Sequence, residues 1–346
     1  MVDHRSQATR TCQPELLSGV RSGRLKRIIR KEIPLHIELY SPAPGHTETH
    51  RHNVALADLI TKSDVAMTAS ATSLALPDSI NRLSDVAPES KAAQLVLVNH
   101  FDFLCAVEQK GPDWHSYDRA NMDLKFVANL FGGGIGFLTA DPVIKSPNDV
   151  IGKRIYVLAR PSAVRAIAEI VLRDGWGILD QVELLDGQPA LGSEASAIGN
   201  GDVLLVSTIE TQGGYKLVTP LSEGTDPPMN WIDINEQAIN RMTAATGVTF
   251  DRRVHPPLKG RAHLPFDQGA EPEAGLVRFD EGLSAWDGTA PGVVAKLLSL
   301  FVAEGNRWNE STGSVPFDAK RLRNWSPLDD SYIHQGAKQF YTDNGL

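Results

Sequence analysis

The sequence predicts an α/β fold, because β-branched and bulky runs alternate along the chain with segments whose apolar residues recur at helical spacing. Clusters of Pro, Gly, Asn, Asp and Ser punctuate that alternation, and the rhythm repeats in the second half. Ile33 to Tyr40 (IPLHIELY) is the first strand and stops at the turn Ser41-Pro42-Ala43-Pro44-Gly45. Val54, Leu56, Ala57, Leu59 and Ile60 then crowd one side of a helix ending near Asp64. From Val65 to Ser90 the text is small and polar, broken by a short helix over Asp78 to Leu83 whose Asp78 is placed to accept backbone N–H groups at its start. Gln94 to Phe103 reads as a strand with Leu95 to Val98 as its buried run.

Asp123 to Leu130 is a further strand, and Gly132, Gly133, Gly134 and Gly136 lead into the apolar run Phe137 to Thr139. Ser146-Pro147-Asn148-Asp149 places Ser at an N-cap, Pro at the first helical position and an acid at the third, and Gly152 closes the turn. Ile155 to Leu158 is a strand, and the loop Ala159-Arg160-Pro161-Ser162 starts a helix with Val164, Ile167, Ile170 and Val171 on one face and Gly175 as its stop. A strand at Val182 to Leu185, a helix at Glu194 to Ile198, a turn at Gly199 to Asp202 and a strand at Val203 to Thr208 repeat the pattern. Strands and helices alternating in this way predict largely parallel sheets. His255 to Gly275 reads as an irregular crossing segment, and Val293 to Val302 and Tyr332 to Tyr341 as helices.

The chain has 346 residues, about two domains at roughly 150 residues each. Its 34 Lys and Arg against 42 Asp and Glu leave a net charge of -8, with 22% charged and 42% hydrophobic residues. That is the balance of a globular protein and the wrong sign for a nucleic-acid binder. Two cysteines, Cys12 and Cys105, imply no disulfide framework. No apolar run reaches the ~18 residues of a membrane span, so no membrane insertion is expected. Residues 1–32 form a basic leader that loosely resembles an Arg-rich transit peptide and lacks an apolar secretory stretch, so the reading is cytoplasmic as written, and periplasmic if the true N-terminus carries an export signal.

Three phrases together resemble the TAXI family of solute receptors, the binding subunits of one type of tripartite TRAP transporter, within the type II periplasmic-binding-protein fold. They are Ile333-His334-Gln335-Gly336-Ala337-Lys338-Gln339-Phe340-Tyr341 closing on Asn344-Gly345-Leu346, Ile144 to Ile155 (IKSPNDVIGKRI), and Ala197-Ile198-Gly199-Asn200-Gly201-Asp202-Val203. In the first, Gln335 replaces the family's Pro. The resemblance covers 33–346 and implies two lobes, the first from 33–139 plus 253–346 and the second from 140–252. It implies a small-molecule carboxylate bound in the cleft between closing lobes, and TRAP membrane subunits as partners if the protein is exported. Two loops depart from the family pattern: Gly45 to His52 replaces a Gly-rich loop, and Arg160-Pro161-Ser162-Ala163 replaces a Gly-Ser-Gly-Thr-like one.

The candidate ligand-binding residues follow from chemistry at strand ends and helix starts. Ser162 at a helix N-terminus suits an anion, and Arg160 offers it a forked contact. Asn99 and His100 end a buried strand, where doubly wound folds present ligand groups, and Ser207, Thr208 and Glu210 occupy the comparable end of a later strand. His334 is read as a helix cap. The alternative is an intracellular enzyme on the same scaffold, a decarboxylase, isomerase or biosynthetic enzyme, with His100 or the cluster His46, His50 and His52 moving protons. That cluster, with Glu48, matches no metal signature and reads as a polar loop. No metal or other cofactor is expected.

Overall fold

The computed structural model describes residues 35–41, 48–74, 76–139, 141–186, 203–211, 214–217, 230–255, 274–312, 318–324 and 328–346. The basic leader, His46, the helix expected at Glu194 to Ile198 and most of the expected crossing segment from His255 lie outside them.

β1 (Leu35–Ser41), α1 (Glu48–Lys62) and β2 (Met67–Ser73) form a strand, a helix and a second strand parallel to the first, with Leu35 opposite Met67 and Ser41 opposite Ser73. Ile37 and Leu39 alternate into the core with no exposure. β2 emerges from the stretch that looked only small and polar; its MTASATS sequence sits half-buried at the sheet's edge, where a continuous apolar run is not required. α2 (Asp78–Ser84) starts one residue earlier than its expected cap, with Pro77 at the N-cap and Asp78 as the first helical residue, its charge at the positive end of the dipole. α3 (Pro88–Lys91) is a single turn before β3 (Gln94–Asn99), which pairs in parallel with β1.

The expected strand to Phe103 stops at Asn99 instead. Asn99 Oδ1 accepts the Asp102 N–H at 2.9 Å and Asn99 Nδ2 donates to Asp102 Oδ2 at 2.7 Å, so a reciprocal cap turns the apolar run into α4 (His100–Glu108), buried at every residue from Phe101 to Val107. β4 (Leu124–Phe131) then runs into β5 (Gly133–Thr139) through Gly132 alone, and the two strands belong to different sheets. The glycines here are a packing requirement: a Cβ on Gly133 would lie 2.2 Å from the Thr208 carbonyl oxygen.

The second sheet collects β6 (Arg154–Val157), β7 (Glu183–Asp186), β8 (Val203–Thr211), β9 (Gly214–Leu217), β10 (Asn230–Ile232), β11 (Arg252–His255) and β12 (Ala274–Arg278) around β5. α5 (Ala163–Ile170) follows β6 and continues as a π turn over Val171–Gly175, and α6 (Glu236–Thr246) precedes β11. The Ser146-Pro147-Asn148-Asp149 grammar holds: Asp149 accepts the Ser146 N–H at 2.8 Å and caps a 3-10 turn over Pro147–Val150. After Phe279 and Asp280 the chain returns to the first sheet as β13 (Glu281–Trp286), then α7 (Pro291–Thr312) and α8 (Gln335–Asn344). His334 caps α8, its Nδ1 accepting the Gly336 N–H at 3.0 Å.

The first sheet has the order β2-β1-β3-β13-β4, with the last-arriving strand inserted between β3 and β4. Two sheets and the helices between their strands bear out the expected α/β class. The expectation of largely parallel sheets is corrected: only β2-β1-β3 and β8-β6-β7 are parallel, because strands that cross between sheets return against their neighbours. Among the described residues, no helix is long and apolar enough to cross a membrane.

Candidate functional site

A groove of about 560 Å³ opens between α4 with the segment after it and the α5 and α6 helices of the other sheet. Phe101, Lys110 and Trp114 line one side, and Arg160, Glu169 and Arg173 line the other. The segment leaves α4 through Gln109, in the left-handed region at φ 55°, and Gly111 at φ 113°, which turn the chain back along the helix. It bridges the two sheets directly. Lys110 Nζ donates to the Gly247 carbonyl at 2.8 Å, and Trp114 Nε1 donates to Glu169 Oε2 at 3.1 Å. Phe101 stacks on Phe250 at 5.9 Å.

Arg160 lies over Trp114, with its guanidinium carbon 4.3 Å from the ring centroid. Its Nη2 donates to Glu169 Oε1 at 2.7 Å and Oε2 at 2.9 Å, whereas Nε and Nη1 have no partner among the described residues. Glu169 is buried and also accepts from Arg165 Nε at 2.6 Å; Arg165 Nη1 in turn donates to Asp186 at 2.7 Å and the Leu158 carbonyl at 3.1 Å. The buried carboxylate is therefore saturated with donors, while the Arg160 side chain keeps 47% exposure and open donors on Nε and Nη1. Nη1 is suited to a charge-assisted hydrogen bond with a carboxylate oxygen.

Of the residues singled out from sequence, Arg160 alone lines this groove. Ser162 is the N-cap of α5 and accepts the Arg165 N–H at 3.5 Å. Asn99 is committed to the Asp102 cap, and His100 is the first residue of α4, where burial pulls its imidazole down to about 4 and keeps it neutral. Ser207 and Thr208 lie within β8 against β5, with the Thr208 hydroxyl 3.4 Å from the Gly134 carbonyl. Glu210 lies where the chain crosses between sheets and pairs with Arg253 and Arg321. Glu48, His50 and His52 fall in the first turn of α1 rather than in a loop. His50 Nδ1 is 3.0 Å from Ser41 Oγ, and His52 is buried and stacked on Phe131 at 4.7 Å.

Sequence reasoning missed a buried polar cluster behind the groove. Asp102 has no exposure and accepts from His115 Nε2 at 2.5 Å and from the Tyr117 hydroxyl at 2.9 Å in addition to Asn99. Burial alone would pull the His115 imidazole down, but the Asp102 charge and hydrogen bond outweigh it and hold it above its ordinary value. Glu281, at the start of β13, is buried with its Oε2 unpartnered; burial and then the Asp102 charge push its carboxyl up to about 8. Burial also raises the Tyr117 phenol and the Cys105 thiol. The residues were visible in the sequence, but His115 and Glu281 reach Asp102 only through the fold.

No protein-family model and no curated protein matches the sequence. Among solved structures, a TctC solute-binding protein from Polaromonas is 14% identical, covering 90% of this chain and 98% of its own, with a TM-score of 0.46. MatC from Rhodopseudomonas palustris with bound malate is 12% identical over 83% of this chain and 94% of its own, with a TM-score of 0.45. An adipate-bound R. palustris protein is 12% identical over 82% and 89%, also at 0.45. At such scores the likenesses carry no inference about this chain's ligand.

Proposed function

We propose that the chain is a solute-binding protein that holds a small organic acid or amino-acid-like anion by its carboxylate between two closing lobes. The observation that supports this most is Arg160: fixed on Trp114, tied to Glu169 through one nitrogen, and facing a groove with Nε and Nη1 unpartnered. A guanidinium already immobilised loses little further freedom when a carboxylate docks, which favours affinity. Phe101 and Trp114 supply apolar surface for the rest of the ligand. In this reading the lobes are the two sheets with their helices, hinged where the chain crosses at Gly132, seven residues before the 139 boundary drawn from sequence, and at Phe279-Asp280, 26 residues after the 253 boundary. The TAXI subtype and TRAP membrane subunits as partners belong to the same proposal and rest on the sequence phrases.

A thermal-shift screen of mono- and dicarboxylates against the matching neutral amides tests it. Acids are expected to raise the midpoint and their amides to leave it unchanged, since a ligand of the native state stabilises by mass action. Arg160→Gln should remove the shift. Equal shifts from acid and amide, or an undiminished shift in Arg160→Gln, would exclude the assignment.

A further inference from the structure

We propose that the buried Asp102–His115 contact is a pH-responsive tether for the segment Lys110 to Trp114, holding it most firmly near neutral pH and loosening it as the pH rises. This stands apart from the identity of any ligand. The geometry is that of a strap anchored at both ends. At the far end Lys110 reaches Gly247 and Trp114 reaches Glu169 and Arg160. At the near end the segment is held by His115 and Tyr117, both on Asp102. Between the anchors it is exposed at Gly111 and Asp113.

The groups that face His115 come from every element around it. Asp102 and Cys105 lie on α4, Tyr117 and Trp114 on the strap itself, Phe101 stacks at 6.2 Å, and Asp78 of α2 adds a more distant negative charge. Glu281 of β13 faces Asp102 from the sheet. With His115 protonated and Glu281 neutral, the single charge on Asp102 is compensated. Raising the pH removes the imidazolium proton and ionises Glu281 near 8, so both changes add negative charge beside Asp102. Tyr117 and Cys105 stay neutral and do not compensate, and the proton His115 gives up is the one on Nδ1, which has no hydrogen-bond partner among the described residues, so a weaker, uncharged Nε2–H contact to Asp102 remains. Asn99, Asp102 and Glu281 are fixed within β3, α4 and β13, so the strap is the member able to move away.

Hydrogen exchange of the ligand-free full chain, followed by mass spectrometry between pH 6.5 and 9, reads this directly. Corrected for intrinsic exchange and referenced to α8, protection of residues 109–118 should fall about tenfold in the wild type. His115→Gln, which keeps an amide donor toward Asp102 but cannot titrate, combined with Glu281→Gln should abolish the fall. Glu281→Gln alone, which leaves the His115 contact in place, should lessen the alkaline part and provides the test if the double variant does not fold. Wild-type protection that is constant with pH, or a fall unchanged in Glu281→Gln, would overturn the proposal.

Discussion

At the scale of single residues, the molecule separates groups that hold structure from a group that faces solvent with unused donors. Ser162 and His334 were legible as helix starts because capping is a local grammar of residue type and spacing, and each does cap a helix, whereas Asn99, read as a strand end, caps a third. Arg160 was singled out from its place in a strand-to-helix loop, and it lines the groove. Its support by Trp114 and Glu169 was not legible, because Trp114 is brought to it by a reversal after α4 that sequence periodicity does not encode. Glu281 carries a prediction at this scale. Its folded value near 8 lies above the ordinary 4.5, so between those values the unfolded chain ionises while the native carboxyl stays protonated, and native stability falls as the pH rises through that window. Glu281→Gln should therefore be close to neutral at pH 4 and stabilising by on the order of 4 kcal/mol by pH 8–9, at about 1.36 kcal/mol per unit. Urea denaturation at both pH values checks this, and equal effects at pH 4 and pH 9 would contradict it.

At the scale of elements, the strand-to-helix change at Asn99 decides where the first sheet ends. A run such as Leu95 to Val107 has no periodicity that separates a buried strand from a buried helix, so only the Asn99-x-x-Asp102 cap marks the change. Asn99→Ala removes the cap and one donor to the buried Asp102 carboxylate. A loss of about 2–4 kcal/mol follows from a cap worth about 1 and an under-satisfied buried charge worth about 1–3. Chemical denaturation should show that loss with the fold retained by circular dichroism; a loss below 0.5 kcal/mol would mean that the cap does not hold the start of α4. β2, β9, β10, α6, β11, β12 and β13 were among the elements the sequence hid. β2 is a half-exposed edge strand of small polar residues, and β12 and β13 are short strands separated only by Phe279 and Asp280.

At the scale of the whole molecule, the alternation of strands and helices made the α/β class legible, while a division into two lobes was read only through resemblance, from the phrases near 144–155 and 333–346. Strand order was not legible, since the placement of β13 between β3 and β4 depends on a return from the second sheet, and the mixed strand directions follow from the same crossings. The crossing at Gly132 and Gly133 is tight enough to exclude side chains, and the groove spans residues on both sheets. On the proposed function, a ligand gripped there by Arg160 should draw the lobes together around those crossings. Small-angle X-ray scattering during titration with an acid that raises the melting midpoint tests this most directly. The radius of gyration should fall to a plateau as the wild type saturates and stay constant for Arg160→Gln; a wild-type protein that saturates with no fall, or an equal fall in Arg160→Gln, would contradict it.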